Sequence, residues 1–148
     1  MSLGIYIHVP FCGKKCRYCD FYSLPYRKEQ VQSYVEAVLR NIRHYSDKST
    51  VTDTIYFGGG TPSLLSAEQI SAILREIYDN FNVENSAEIT LEANPNTLTA
   101  EKLEMLRISG INRLSMGIQS MNDEELKILG RTHTAERAVK AIYDAKSA

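Results

Sequence analysis

Apolar and polar positions alternate from Gly4 to Phe11, with Ile5, Ile7 and Val9 on one face and Tyr6 and His8 on the other, and a period of two predicts a strand. The period then lengthens. Val31, Tyr34, Val35, Val38, Leu39, Ile42 and Tyr45 recur at three- and four-residue intervals, the stripe of an amphipathic helix. A second strand is predicted over Thr52–Phe57, followed by a helix that opens at a Ser66/Gln69 capping box and carries Ile70, Ile73, Leu74, Ile77 and Phe81. The unit repeats: Glu88–Ala93 reads as a third strand, Thr99 caps a helix that Gly110 ends, and Arg113–Gln119 reads as a fourth strand. Thr134 caps a last helix through Ala138, Val139 and Ile142.

Strands alternating with helices imply parallel βαβ units, in a doubly wound sheet or a TIM-type barrel. The third strand separates Ile89, Leu91 and Ala93 from Glu88, Thr90 and Glu92, and the fourth separates Leu114, Met116 and Ile118 from Ser115, Gly117 and Gln119. A doubly wound sheet is covered on both faces and favours continuous apolar strands. A closed TIM barrel fills its interior with branched apolar side chains. One polar face therefore points to a barrel wide enough to hold a ligand. Four βα units make only about half of an eight-unit barrel, which usually needs at least roughly 200 residues, so the 148 residues read as the front part of a larger catalytic domain.

A composition 43% hydrophobic and 24% charged suffices for one globular core. The formal charge of -1 gives no footprint for nucleic acid or an anionic membrane surface. No apolar run reaches the roughly 18 residues of a transmembrane span, and the first residues lack the basic and apolar regions of a secretory signal, so a cytoplasmic protein is expected. The three cysteines lie within eight residues. That number and spacing suit metal ligands or reactive thiols in a reducing compartment, not a disulfide framework.

The run CGKKCRYCDF falls just past the first strand, at the carboxyl end where parallel barrels place their chemistry. Thiolates from Cys12, Cys16 and Cys19 can hold three corners of an iron–sulfur cubane and leave the fourth iron free to chelate an amine and a carboxylate. S-adenosylmethionine carries both groups. The alternative is structural zinc, with His8 or Asp20 as fourth ligand; His8 points inward from its strand, where a hydrogen bond also accounts for it. The second strand ends in FGGGTP, whose glycines let backbone approach a ligand or simply form a turn. Glu92 and Gln119 lie on the polar face near the carboxyl ends of successive strands. Arg131, in LGRTH, can clamp a carboxylate. His133 reads as a loop residue and the methionines as core filling.

The ordered motifs IYIHVPFC-GKKC-RYC-DF, FGGGTPS, LEANP, SMGIQS and LGRTH resemble the oxygen-independent coproporphyrinogen III oxidase family of radical S-adenosylmethionine (radical SAM) proteins. The resemblance implies a partial TIM-type (β/α)6 barrel followed by a smaller domain, with residues 1–148 the N-terminal part of the barrel. It further implies a 4Fe-4S cluster on Cys12, Cys16 and Cys19, and S-adenosyl-L-methionine surrounded by Tyr6, Tyr18, Gly59, Gly60, Thr61, Glu92, Gln119 and Arg131. The family's oxidases carry a further cysteine two positions after the third ligand, where this chain has Phe21. That makes it similar to the family's heme-chaperone branch, which implies bound heme, an electron-donor protein and a heme-acceptor protein. Oxidative decarboxylation of a porphyrinogen and a zinc-stabilised binding module are the alternatives. Four parallel strands also leave two open edges, so association through them is expected.

Overall fold

The computed structural model describes residues 1–148. A parallel sheet is formed by β1 (Leu3–Val9), β4 (Asp47–Gly59), β5 (Phe81–Ala93) and β6 (Arg113–Met116), in the order β1-β4-β5-β6. Between β1 and the first helix two short strands, β2 (Phe11–Cys12) and β3 (Leu24–Pro25), pair with each other and bracket the cysteine loop. The helices are α1 (Lys28–His44), α2 (Ala67–Asn80), α3 (Ala100–Ile108), α4 (Asp123–Leu129) and α5 (Ala135–Ser147).

Alternation within strands decides which face meets the helices. Ile5, Ile55 and Ile89 share one row, as do Ile7, Phe57, Leu91 and Leu114, and these rows belong to the apolar core with Ile70, Ile73, Leu74 and Ile77 of α2. Tyr6, Tyr56, Thr90 and Arg113 form the matching row on the opposite, polar face. Thr90 is buried there, and the Arg113 guanidinium donates to its hydroxyl at 3.3 Å. The expected two-faced sheet is thus present.

The caps also sit where the sequence places them. Ser66 and Gln69 bond reciprocally at the start of α2, Thr99 Oγ1 accepts from Lys102 N–H, and Thr134 Oγ1 accepts from Arg137 N–H. Several boundaries differ. β4 and β5 extend N-terminally to Asp47 and Phe81 through largely polar stretches without clean alternation, and Phe81, expected on the stripe of the second helix, instead follows the end of α2 at Asn80 and opens β5, where it is buried. β6 stops at Met116; Gly117 N–H still bonds the Ala93 carbonyl at 3.0 Å, and Gln119 lies beyond the strand in the left-handed region at φ 70°. α4 was unexpected; Asn122 caps it through bonds to Glu124 N–H and Glu125 N–H, and Gly130 ends it at φ 77°. No helix is long and apolar enough to cross a membrane.

Candidate metal and cofactor site

The strands deliver their loops to one end of the sheet, where a cleft of about 310 Å³ opens. Cys12, Cys16, Cys19, Tyr18, Gly59, Gly60, Glu92, Gln119 and Arg131 all line it. Gln119 reaches it from a loop beyond β6, not from the strand's polar face as its spacing suggested. Tyr6 and Thr61 are not among its lining residues. Tyr6 is 57% exposed on the polar face and stacks on Tyr56 at a centroid separation of 6.1 Å. Thr61 lines an adjoining polar cleft of about 260 Å³ and donates to Cys12 Sγ at 3.8 Å.

All three thiols are free and partly exposed. They share the cleft, yet no group of three His, Cys, Asp or Glu side chains stands close enough to share one ion. A cubane takes each thiolate on a different iron, so the sulfurs need not converge on one ion, and they lie on a loop exposed at Gly13, Lys14, Lys15, Arg17 and Asp20. The donor set suits that arrangement, because three soft thiolates from one loop fill three positions of an iron–sulfur centre and leave one open. A tetrahedral zinc site has no fourth ligand in place. His8 Nδ1 meets the Tyr6 hydroxyl at 3.2 Å and its Nε2 meets the Tyr22 carbonyl at 3.3 Å, while Asp20 is exposed. His8 itself is exposed on the polar face and not enclosed in a core.

Glu92 is held at both oxygens. Tyr56 donates to Oε1 at 2.7 Å and Gly59 N–H to Oε2 at 3.2 Å. The bond to Glu92 raises the Tyr56 pKa above the ordinary phenol value, with burial adding to it, because both favour the protonated donor. Gly60 has a steric reason to be glycine: a Cβ there would stand 2.6 Å from the Phe11 carbonyl oxygen. Gly60 N–H and Thr61 N–H bond the carbonyls of Val9 and Phe11 at 2.8 and 2.7 Å, so the glycine loop is packed against the chain entering the cysteine loop.

Arg131 points one guanidinium nitrogen at Cys16 Sγ, 3.4 Å away, and the other at the Gly117 carbonyl, while its buried Nε has no partner. One edge is thus already committed to the protein. Partial burial raises the Tyr18 pKa, with Arg131 opposing the shift. The sequence did not single out Tyr56 or Arg17. Arg17 ties the cysteine loop to the end of α4, its N–H reaching Leu129 O at 3.1 Å and its Nη1 Ile128 O at 3.4 Å. Only the fold brings those partners together.

Fold and site define a class: an α/β protein that gathers three free thiols at the carboxyl ends of a parallel, one-face-polar sheet. The model of the radical SAM superfamily matches residues 6–148, and the chain belongs to that superfamily. It is similar to the heme chaperone HemW of Haemophilus influenzae, 43% identical over 97% of this chain and 39% of that protein. The corresponding figures for HemW of Escherichia coli K12 are 40% identity, 94% and 38%. The solved structure of the E. coli coproporphyrinogen III oxidase HemN, described as a radical SAM enzyme, matches 99% of this chain and 34% of its own with a TM-score of 0.92 at 31% identity. The chain thus spans under two fifths of the curated relatives and of that structure. Its four-stranded sheet is a partial barrel of the radical SAM type.

Proposed function

We propose that residues 1–148 are the front part of a radical SAM core that holds a 4Fe-4S cluster on Cys12, Cys16 and Cys19 and S-adenosylmethionine in the adjoining cleft. The observation that carries this is the lining of that cleft: three free thiols, the fixed carboxylate of Glu92 and the guanidinium of Arg131 face one space. A bound cluster supplies one electron to cleavage of the sulfonium of S-adenosylmethionine. The chain's own groups bind and orient. Glu92 offers its charge to the ligand's ammonium, the Arg131 guanidinium faces its carboxylate, and Tyr18, Gln119, Gly59 and Gly60 bound the pocket. Tyr6 and Thr61 act from outside the lining, Tyr6 by stacking on Tyr56 and Thr61 through Cys12.

For the whole protein we favour heme binding and delivery, with an electron donor and a heme acceptor as partners. The support is the similarity to HemW together with Phe21, 69% exposed at the position where an oxidase would carry another thiol. Three free thiols suit the reducing cytoplasm. Anaerobic reconstitution is expected to give about four irons and four sulfides per chain, and Cys16→Ala to abolish this, because two thiolates hold only two corners. Stoichiometric zinc without iron uptake would refute the cluster. Heme binding without coproporphyrinogen turnover by the reconstituted protein supports the chaperone reading; turnover makes it an oxidase, the reading favoured by the match to HemN.

A further inference from the structure

The stretches that follow β4 and β5 at the cleft are joined through Ser63 and Thr97, which do not line it. Asn94 N–H donates to Ser63 Oγ at 3.0 Å, Ser63 Oγ lies 2.5 Å from Thr97 Oγ1, and Thr97 Oγ1 donates to the Asn94 carbonyl at 2.8 Å. An amide N–H can only donate and a carbonyl can only accept, so the proton order is set: Asn94 to Ser63, Ser63 to Thr97, Thr97 back to Asn94. The ring closes on itself. Ser63 is 0% exposed, so water does not compete for it.

A second strut comes from α3. Lys102 Nζ donates to the carbonyls of Ser63 and Leu65 at 2.6 and 2.7 Å, and the Thr99 cap holds Lys102 at the first turn. The ammonium is partly buried, and burial lowers its pKa; no carboxylate bonds it. A cation desolvated in this way is costly unless its hydrogen bonds are made, and both of these go to one loop.

We propose that Ser63, Thr97 and Lys102 are positioning residues that set the separation between the glycine loop and Glu92, and through it the affinity for S-adenosylmethionine. They do so without touching the ligand. The inference rests on the assignment of the cleft to that cofactor. Inside the cleft the ends of β4 and β5 meet through Gly59 N–H and Glu92 Oε2 at 3.2 Å, just past the last paired residues Phe57 and Leu91, so the stretches that follow each strand bear directly on that contact.

The test is titration of the cluster-reconstituted protein with S-adenosylmethionine by calorimetry, with amide exchange recorded on the same samples. Lys102→Met is expected to weaken binding about tenfold at unchanged iron content, with Lys102→Arg recovering most of the loss. Amides of residues 60–65 should exchange faster while those of Ile89 and Leu91 stay protected, a local signature that general destabilisation does not produce. Wild-type affinity in Lys102→Met, beside lost binding in Glu92→Ala, overturns the inference and leaves the cofactor assignment standing. Unchanged binding in Glu92→Ala overturns the assignment and the inference with it. Should Lys102→Met fail to fold, Thr97→Val decides, since it breaks the ring with little change of shape: weakened binding supports the proposal and wild-type binding refutes it.

Discussion

At the scale of single residues, Glu92 is set by its neighbours before any ligand arrives. Removing the Tyr56 hydroxyl leaves one oxygen of that carboxylate unpaired, and a hydrogen bond to a charged group contributes about 1.5–3 kcal/mol. Tyr56→Phe is therefore expected to weaken S-adenosylmethionine binding by roughly one to two decades while the ring keeps its stack on Tyr6, which equilibrium titration beside a melting curve will show. Affinity equal to wild type would mean that Glu92 needs no support. Glycines divide just as sharply. A Cβ on Gly60 meets backbone of Phe11 at 2.6 Å and cannot be relieved by a side-chain rotation, whereas one on Gly13 meets nothing within 4 Å. Gly60→Ala should lower the melting temperature by several degrees or prevent folding, and Gly13→Ala should leave it within a degree or two.

At the scale of elements, α4 and the turn behind it hold the cysteine loop from the far side. Asn122 and Gly130 are legible as cap and stop once the helix is known, but its seven residues are too short to show a hydrophobic period. His133 follows that turn, in a loop as its position suggests, and is only 4% exposed. Its Nε2 donates to the Ile118 carbonyl at 3.1 Å, and burial, with the charge of Arg131, holds its pKa below the usual imidazole value. The fold therefore favours the neutral ring. Below about pH 6.5 the unfolded chain binds a proton that the folded chain refuses, so stability falls with pH from there down to the depressed folded pKa. Denaturation midpoints measured from pH 8 to pH 5 should show this loss, and His133→Gln, which keeps an amide donor, should flatten it. An unchanged slope in the variant would place the acid sensitivity elsewhere.

At the scale of the whole molecule, β1 and β6 are the outer strands of an open parallel sheet. The Tyr34 hydroxyl covers one β1-side carbonyl, that of His8, at 2.7 Å, and the outer edges otherwise have no strand partner. These 148 residues expressed alone should associate or precipitate with rising concentration in sedimentation runs; a cooperative monomer at high concentration would show that the edges protect themselves. What the sequence determined by itself was whatever depends on near neighbours: the period of two in Ile5, Ile7 and Val9, the helical stripes, the Ser66, Thr99 and Thr134 caps, and three thiols in one short loop. These signals are local because dihedral preference and face burial repeat every two to four residues. Only the tertiary structure decided that Tyr56 and Gly59 hold Glu92, that Arg17 reaches the end of α4, that Ser63 closes a ring with Thr97, and that Gln119 enters the cleft from a left-handed turn. Each of those contacts joins residues whose spacing along the chain carries no period, because it is set by how the parallel strands stack and where their loops converge.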